Sequence, residues 1–462
     1  MSNFETIRET MEKAGVREAA IGAFELSYAK LLSEESGMIS ERDLEAIDEL
    51  PEVGRGPREG FDPELLGQTV VIKLNGGLGT GMGLQKAKSL LEVREGLTFL
   101  DIIARQIVNL RKVTGAQVRF LLMNSFSTTK DTLAHMQQYA AHGLASAAEV
   151  ELMQNLVPKI DQASMEAVKC PGNPEMEWCP PGHGDLYPAL IGSGWLDRLR
   201  EAGVKYAFAS NSDNLGAVLD ATLLAYFAES EAPFMMEVTR RTQADKKGGH
   251  LARRKSDGRM VLREVAQCAD GDLRSFQNIT KHCFFNTNNL WVRLDRLKEI
   301  LDAQGGVLPL PMICNDKTVD PRDKESTAVF QLETAMGAAI ECFEGATAVD
   351  VPRARFAPVK TTADLLALRS DAYQLLDDGR VMLREERKGI PPIVMLSPDY
   401  MMVNSLDEMG VPSLKGARSL TVQGAVRFGP DAVIEGDVEL NNDSSDPLVL
   451  DRLARDEVIC CK

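Results

Sequence analysis

The sequence predicts an α/β protein with helices at its N-terminus, a mostly parallel sheet covered by helices in its middle, and a parallel β-helix at its C-terminus. Three observations lead there. From about residue 68 to 380, short β-rich runs alternate with helical stretches; glycine- and asparagine-rich turns fall where the runs end; and near the C-terminus the apolar period changes to six. Repeated strand–helix–strand units place helices over a parallel sheet, and ligands of such sheets sit at the carboxyl ends of the strands.

Residues 3 to about 50 read as helical: Phe4, Ile7 and Met11 share a face, Gly15 interrupts, and EAAIGAFELSYAKLL resumes the pattern. A polar loop with Pro51, Gly54, Gly56 and Pro57 marks a boundary. VVIKL then opens the alternation, followed by FLDIIARQIVNLRKVTG, VRFLLMNS, a further helix, VKYAFAS and a helix around DATLLAYFA. In SLTVQGAVRFGPDAVIEGDVEL, Val422, Phe428, Ile434 and Leu440 recur every six residues, as do Val426, Ala432 and Val438, with Gly424, Gly429 and Gly436 between them. A six-residue period is the signature of stacked triangular β-coils, and a pair of hairpins is the competing reading of so short a repeat. The expected division is 1–60 (helical), 61–380 (the α/β domain) and 381–462 (β-helix).

At 462 residues the chain exceeds one core, and about 150 residues per domain suggests two to four. Lys and Arg number 52 against 68 Asp and Glu, a net charge of −16, which argues against general nucleic-acid or anionic-membrane binding. A phosphate-bearing substrate then requires locally concentrated lysines. The eight cysteines form no CxxC pair, only Cys460 and Cys461 being adjacent, which is reduced, intracellular usage. MSNFETIRETMEKAG lacks the apolar core of a signal peptide, and no run of about 18 apolar residues exists. The expectation is a soluble cytoplasmic protein.

The stretch KLNGGLGTGMGLQKAKSLLEV holds glycines at 76, 77, 79, 81 and 83 directly behind an apolar run and ahead of Lys86 and Lys88. The Walker form GxxxxGK[ST] fails because Met82 stands where lysine belongs, and GxGxxG finds no register. What remains is a strand-to-helix turn whose backbone N–H groups can approach an oxyanion, with a lysine one turn on to meet the same phosphate; tight packing of a helix on a strand is the structural alternative.

This stretch resembles the eukaryotic-type UTP–glucose-1-phosphate uridylyltransferases (UDP-glucose pyrophosphorylases), whose hallmark runs through Leu74 to Thr80, Met82–Gly83 and Lys88. Gly81 stands where the bacterial-type and N-acetylhexosamine enzymes carry arginine, and Gln85–Lys86–Ala87 departs from a more usual lysine–glycine–proline. The resemblance spans roughly residues 65 to 460, with about seven motifs in the family's order. It implies a Rossmann-like nucleotidyltransferase domain of GT-A-like type and a C-terminal left-handed β-helix. It also implies UTP contacts from Leu74, Asn75, Gly76 and Gly77.

Each further motif has chemistry of its own. In WCPPGHGDLY the prolines and glycines fix a turn that presents His183 outward as a phosphate donor; the resemblance gives His183 the sugar phosphate and Gly182 the uracil side. FASNSDNLGA ends a strand in Asn211, Asp213 and Asn214; a carboxylate there can hold Mg²⁺ on a polyphosphate, or cap the next helix. By resemblance Asp213 takes the metal and ribose and Asn211 the sugar, while Gln154 in LMQNLVPKI reads the uracil edge. Lys247 in ADKKGGHL, where Lys246 replaces a usual valine, is a candidate or a solvated hairpin tip. Glu264 in LREVAQ, and Asn286 and Asn288 in FFNTNNLW, offer what sugar hydroxyls need, though such runs also form turns. VPRARFAPVK concentrates Arg353, Arg355 and Lys360, and the resemblance sends Lys360 to the triphosphate. QLETAMGAAI is expected to support the site as a helix without chemistry.

The implied reaction is Mg²⁺-dependent: UTP and α-D-glucose 1-phosphate give UDP-glucose and pyrophosphate, with Lys88 and Lys360 offsetting phosphate charge and no protein nucleophile. Two alternatives stay open, a broader UDP-sugar pyrophosphorylase that accepts galactose 1-phosphate and a non-catalytic sugar-nucleotide sensor. A homo-oligomer formed through the C-terminal domain is a further possibility of the same reading.

Overall fold

The computed structural model describes residues 3–33, 37–54 and 60–461, so Gly56 and Pro57 of the expected boundary loop lie outside the described residues. Helices α1 (Asn3–Lys13) and α2 (Glu18–Leu32) open the chain. Phe4, Ile7 and Met11 bury against Ile21, Phe24 and Tyr28, so the shared apolar face packs as its spacing predicts. The helical reading fails before residue 50. Leu44–Ala46 instead forms an edge strand, β1, antiparallel to residues 252–254, and buries Leu44 and Ile47.

The described residues contain a ten-stranded central sheet. Its strands are β1, β2 (Thr69–Asn75), β3 (Arg119–Asn124), β4 (Glu151–Met153), β5 (Tyr206–Asn211), β6 (Phe234–Arg240), β7 (His250–Arg254), β8 (Met260–Arg263), β9 (Phe284–Arg293) and β10 (Thr347–Asp350). The run β4–β3–β2–β5 is parallel, β9 pairs antiparallel with β5, and β6 and β7 both pair with β9. β10 lies parallel beyond β6, and β7 carries β1 and β8 antiparallel. All but β1, β8 and β9 therefore point the same way, which is the mostly parallel sheet expected. β2 reads as an unbroken apolar run because both faces of a parallel sheet are covered. Val71, Phe120 and Phe208 enter one core, and Val70, Ile72, Leu121, Ala207 and Ala209 the other. On the first face lies α3 (Phe99–Thr114), started by a Thr98–Asp101 capping box and stopped by Gly115 in a left-handed conformation.

The C-terminal strands Ile393–Leu396, Ser413–Gln423, Val433–Asn442, Leu453–Arg455 and Val458–Cys461 pair parallel throughout, and Val426–Phe428 pairs parallel with Leu448–Leu450. Val422 aligns with Leu440 across two neighbouring strands, and the six-residue series is buried apart from half-buried Phe428. Parallel pairing rules out the hairpin reading, since hairpin strands are antiparallel. No helix among the described residues is long and apolar enough to cross a membrane.

Three loops leave the carboxyl ends of β2, β3 and β5 side by side. The one after β5 is pressed against residues 353–359: a Cβ on Gly216 would lie 2.2 Å from the Ala354 carbonyl oxygen, a main-chain atom that cannot rotate away. Gly216→Ala is therefore expected to destabilise the chain by about 1–3 kcal/mol, read as a lower denaturant midpoint. An unchanged midpoint would show that the two segments separate freely.

Candidate active site

The glycine loop leaves β2 at Asn75 and returns at Lys88. Gly79 and Gly83 have φ of +67° and +79°, a region that side chains disfavour, and they flank a single 3₁₀ turn, Thr80–Met82. The Lys88 N–H donates to Gly77 O at 3.0 Å, which closes the loop on itself. Below it, Ser125 Oγ at the end of β3 donates to Gly76 O at 2.8 Å.

Lys88 then reaches across to the loop after β5. Its Nζ donates to Asp213 Oδ2 at 2.6 Å and to the carbonyl oxygen of Val359. Val359 N–H donates back to Asp213 O at 3.1 Å, and Asn214 forms a bridge with Pro358. Three segments far apart in the chain thus meet at one ion pair, and Lys360 follows directly on the contact. The pair is half-buried, with side-chain exposures of 17% and 19%, so water screens it incompletely.

Asp213 Oδ1 is buried and has no hydrogen-bond partner in the described structure. A buried carboxylate oxygen without a donor invites a cation. Among the described residues no group of three or more His, Cys, Asp or Glu could hold a metal. A divalent ion here would be held by fewer than three such side chains, Asp213 among them, and would complete its shell from other oxygens such as phosphate and water, as Mg²⁺ does. The donor set fits Mg²⁺ in that form only.

The uracil candidates come together at the other end of the glycine loop. Gln154 Nε2 donates to Gly182 O at 3.1 Å, and its Oε1 lies 2.7 Å from where a Gly76 side chain would begin. The turn is anchored by Asp185, whose carboxylate accepts from Asn155 N–H at 2.6 Å and from the Asn155 amide. Burial pushes the Asp185 carboxyl up to about 7 against the pull of those donors.

Two candidates differ from expectation. His183 is half-buried rather than presented outward, because its Nδ1 accepts the Met336 N–H at 2.9 Å and the turn packs on residues 334–336. Burial pushes the imidazole down to about 4, so the ring is neutral and its proton sits on Nε2. Asn75 turns its side chain into the core, where Nδ2 donates to Asn124 Oδ1 at 2.8 Å and Thr132 Oγ1 at 2.9 Å. Its side chain serves the loop's base, and only its main chain faces the loop; Leu74 beside it is half-buried on β2.

Glu264 gathers the sugar candidates. The Gly249 N–H and the Asn286 side chain both bond its carboxylate, and burial raises its carboxyl against these bonds and the charge of Lys360. Lys360, exposed, is thus near enough to Glu264 to be felt by it. Asn288 has φ +57° and exchanges two hydrogen bonds of 2.9 Å with Asn286, so these amides act as one unit. Asn211 sits half-buried at the end of β5. Lys247 stays exposed on the loop that Arg353 clamps through Asp245 at 2.8 and 3.0 Å. The 331–340 motif forms part of a strand and a 3₁₀ helix, Met336–Glu341, rather than an α-helix.

The sequence reading overlooked polar residues inside strands: Lys73, Glu237 and Asn289, all buried. A charged residue inside an apolar run, Lys73 in TVVIKL or Glu237 in FMMEVTR, is the available signal.

The chain is similar to known proteins over most of its length. A family model described as UTP–glucose-1-phosphate uridylyltransferase matches residues 23–435. The chain is 42% identical over 396 residues to the UTP–glucose-1-phosphate uridylyltransferase of Solanum tuberosum, covering 85% of this chain and 80% of that one. It is 41% identical over 376 residues to that of Saccharomyces cerevisiae, covering 81% and 74%. A mutant UDP-glucose pyrophosphorylase from Leishmania major, solved in complex with UDP-glucose, superposes with a TM-score of 0.94 at 46% identity over the whole of both chains. A Trypanosoma brucei structure gives 0.91 at 48%, again over both whole chains. With a shared fold, a family model matching residues 23–435 and 42% identity to a relative over 85% of its own length, the chain belongs to the UTP–glucose-1-phosphate uridylyltransferase family.

Proposed function

We propose that this chain transfers the uridylyl group of UTP to α-D-glucose 1-phosphate, making UDP-glucose and pyrophosphate, with Mg²⁺ as its cofactor. The observation that carries the reading is the junction at which the glycine loop, Lys88, Asp213 and the Val359–Lys360 segment meet. A phosphate oxygen of the sugar phosphate forms a bond to the α-phosphorus while the bond to the pyrophosphate oxygen breaks. Both reactants are anions, so the barrier is their repulsion and the charge on the transferred group. Nothing in this step requires a protein nucleophile.

Loop N–H groups and Lys88 offset charge at the α-phosphate, and Lys360 holds the phosphates from the other side. Gln154, with the Gly182 backbone, reads the uracil edge, supported by the amide's contact with that turn. His183 offers Nε2–H to the sugar phosphate without carrying charge. Asn211, Lys247, Glu264, Asn286 and Asn288 take the sugar side. Mg²⁺, when bound at Asp213 Oδ1, supplies positive charge against the phosphates. Before substrate arrives, Lys88 and Asp213 neutralise one another, which keeps both in place at low electrostatic cost.

We further read the two parallel C-terminal sheets as faces of a left-handed β-helix occupying 381–462, after a helical segment 1–60 and a catalytic domain 61–380. The exposed Ile393, Met395, Val449 and Val458 support self-association through it. Eight free cysteines support residence in the cytoplasm.

The deciding assay is pyrophosphate release from UTP with glucose 1-phosphate, against galactose 1-phosphate, with and without Mg²⁺. Release only with glucose 1-phosphate and Mg²⁺ is the expected result; equal rates with galactose 1-phosphate would point to a broader UDP-sugar enzyme, and none with either sugar to a sensor. Lys88→Ala and Lys360→Ala are each expected to lower kcat about 10²-fold, as loss of an oxyanion donor does, and near-normal turnover in either would remove it from the phosphates. Gln154→Ala should raise KM for UTP more than for glucose 1-phosphate, so equal increases would take it out of the uracil pocket. Because burial pushes the His183 imidazole down to about 4, the pH profile of kcat/KM for glucose 1-phosphate should show no limb near 6.5 that His183→Gln abolishes. Disappearance of such a limb would show a charged imidazole at work.

A further inference from the structure

We propose that Glu237, remote from the substrates, is the positioning residue that holds Lys360 and Asp213 in register. The inference rests on the reading of Lys360 as a phosphate-binding lysine.

Glu237 lies in the middle of β6 and is fully buried. Four donors converge on its two oxygens. Oε1 accepts from Trp291 Nε1 at 2.9 Å and Arg355 Nη2 at 2.8 Å; Oε2 accepts from Arg355 Nε at 2.7 Å and Asn289 Nδ2 at 3.0 Å. The contacts with Arg355 and Asn289 lead toward the junction. The Arg355 carbonyl accepts from Asn214 Nδ2 at 3.1 Å and Asn289 Nδ2 at 3.2 Å. Asn214 Oδ1 in turn accepts from the N–H of Ala357 at 3.0 Å and of Gly216 at 3.2 Å. Asn214 adjoins Asp213, and Ala357 lies three residues before Lys360. Glu237, Arg355, Asn289 and Asn214 thus form one chain of hydrogen bonds that ties β6 and β9 to both halves of the junction. From below, Lys73 Nζ donates to Ser210 Oγ at 2.7 Å and Ala217 O at 2.6 Å, which fixes the far end of the same turn.

A buried ion pair is weak support for a stabilising role, because removing two charges from water costs about as much as their attraction returns, and apolar replacements are often no less stable. A bidentate arginine–carboxylate pair does fix geometry closely. Here the arginine's own backbone is what the site hangs on. Shifting Arg355 would move Ala357 to Lys360 relative to Asp213, and a displacement of about 1 Å at reacting groups can cost about 10²-fold in rate.

The test is a double-mutant cycle on the full chain. Glu237→Gln keeps the shape and weakens the grip on Arg355; it should lower kcat about 10- to 100-fold while KM for UTP, set by the uracil end, changes less than about threefold. Combined with Lys360→Ala, Glu237→Gln should add less than about threefold, because the residue it positions is gone. Asn289→Ala breaks a neutral link of the same chain and should behave alike, which covers the case in which Glu237→Gln does not fold. Phe227→Leu, a buried change in the ring cluster beside Trp291, should lower the denaturant midpoint without changing kcat. Losses that multiply fully in the double mutant, or a Glu237→Gln effect confined to stability, would overturn the proposal alone. A Lys360→Ala enzyme with near-normal turnover would overturn the reading of Lys360 itself.

Discussion

The contact on which the site depends is the ion pair between Lys88 and Asp213. It is where the chain resolves a geometric problem. The glycine loop is mostly backbone, with few side chains to anchor it, and the turn after β5 contributes a carboxylate that would be costly to bury alone. Pairing them gives the loop a fixed far end and the carboxylate a partner. The Val359 carbonyl completes the ammonium's shell, so the segment carrying Lys360 is located by the same atom. Remove the pair and three segments lose their common reference.

The same economy runs through the charges around the site. In a chain of net charge −16, several of the cations around the site are already committed. Arg355 is bound by Glu237 and Arg353 by Asp245, each bidentate. These arginines cannot leave their partners without exposing a buried carboxylate, so they act as framework. Lys73 is buried so deeply that its amine is pushed down to about 7. Lys88 and Lys360 differ in kind: Lys88 is half-buried against Asp213 in a loop, and Lys360 is exposed. The basic cluster around residue 353 therefore divides into arginines that hold and a lysine that is held.

What the sequence made legible follows the same division. Turns carry residue signatures because their backbone demands them, so the glycine loop, the PPGHGD turn and the NSDN strand end could be read directly and do lie near one another. The α/β alternation was readable for a similar reason, since buried parallel strands are unbroken apolar runs. Side-chain direction was not readable. Asn75 and Asn288 are both asparagines in asparagine- or glycine-rich stretches, yet one points into the core and the other bonds Asn286, which depends on neighbours from β3 and from its own strand. His183 was expected to face outward because its turn is rigid, but rigidity does not decide which atom of residues 334–336 meets the ring. The short strand at Leu44 was invisible because three residues carry no periodicity; only β7, formed two hundred positions later, makes it a strand.

The least legible residues were the polar ones within strands, and here the physics suggests how to read them. A strand buried on both faces excludes charge unless a partner meets it, so a lone Glu237 or Lys73 implies a partner delivered by another segment. For Glu237 the partners come from β9 and from residue 355, and for Lys73 from the turn after β5. Each such residue therefore reports a long-range contact that periodicity cannot see. In this fold those contacts converge beneath the loops that follow β2 and β5, because loops of small residues have little packing of their own and take their rigidity from what is fastened below them.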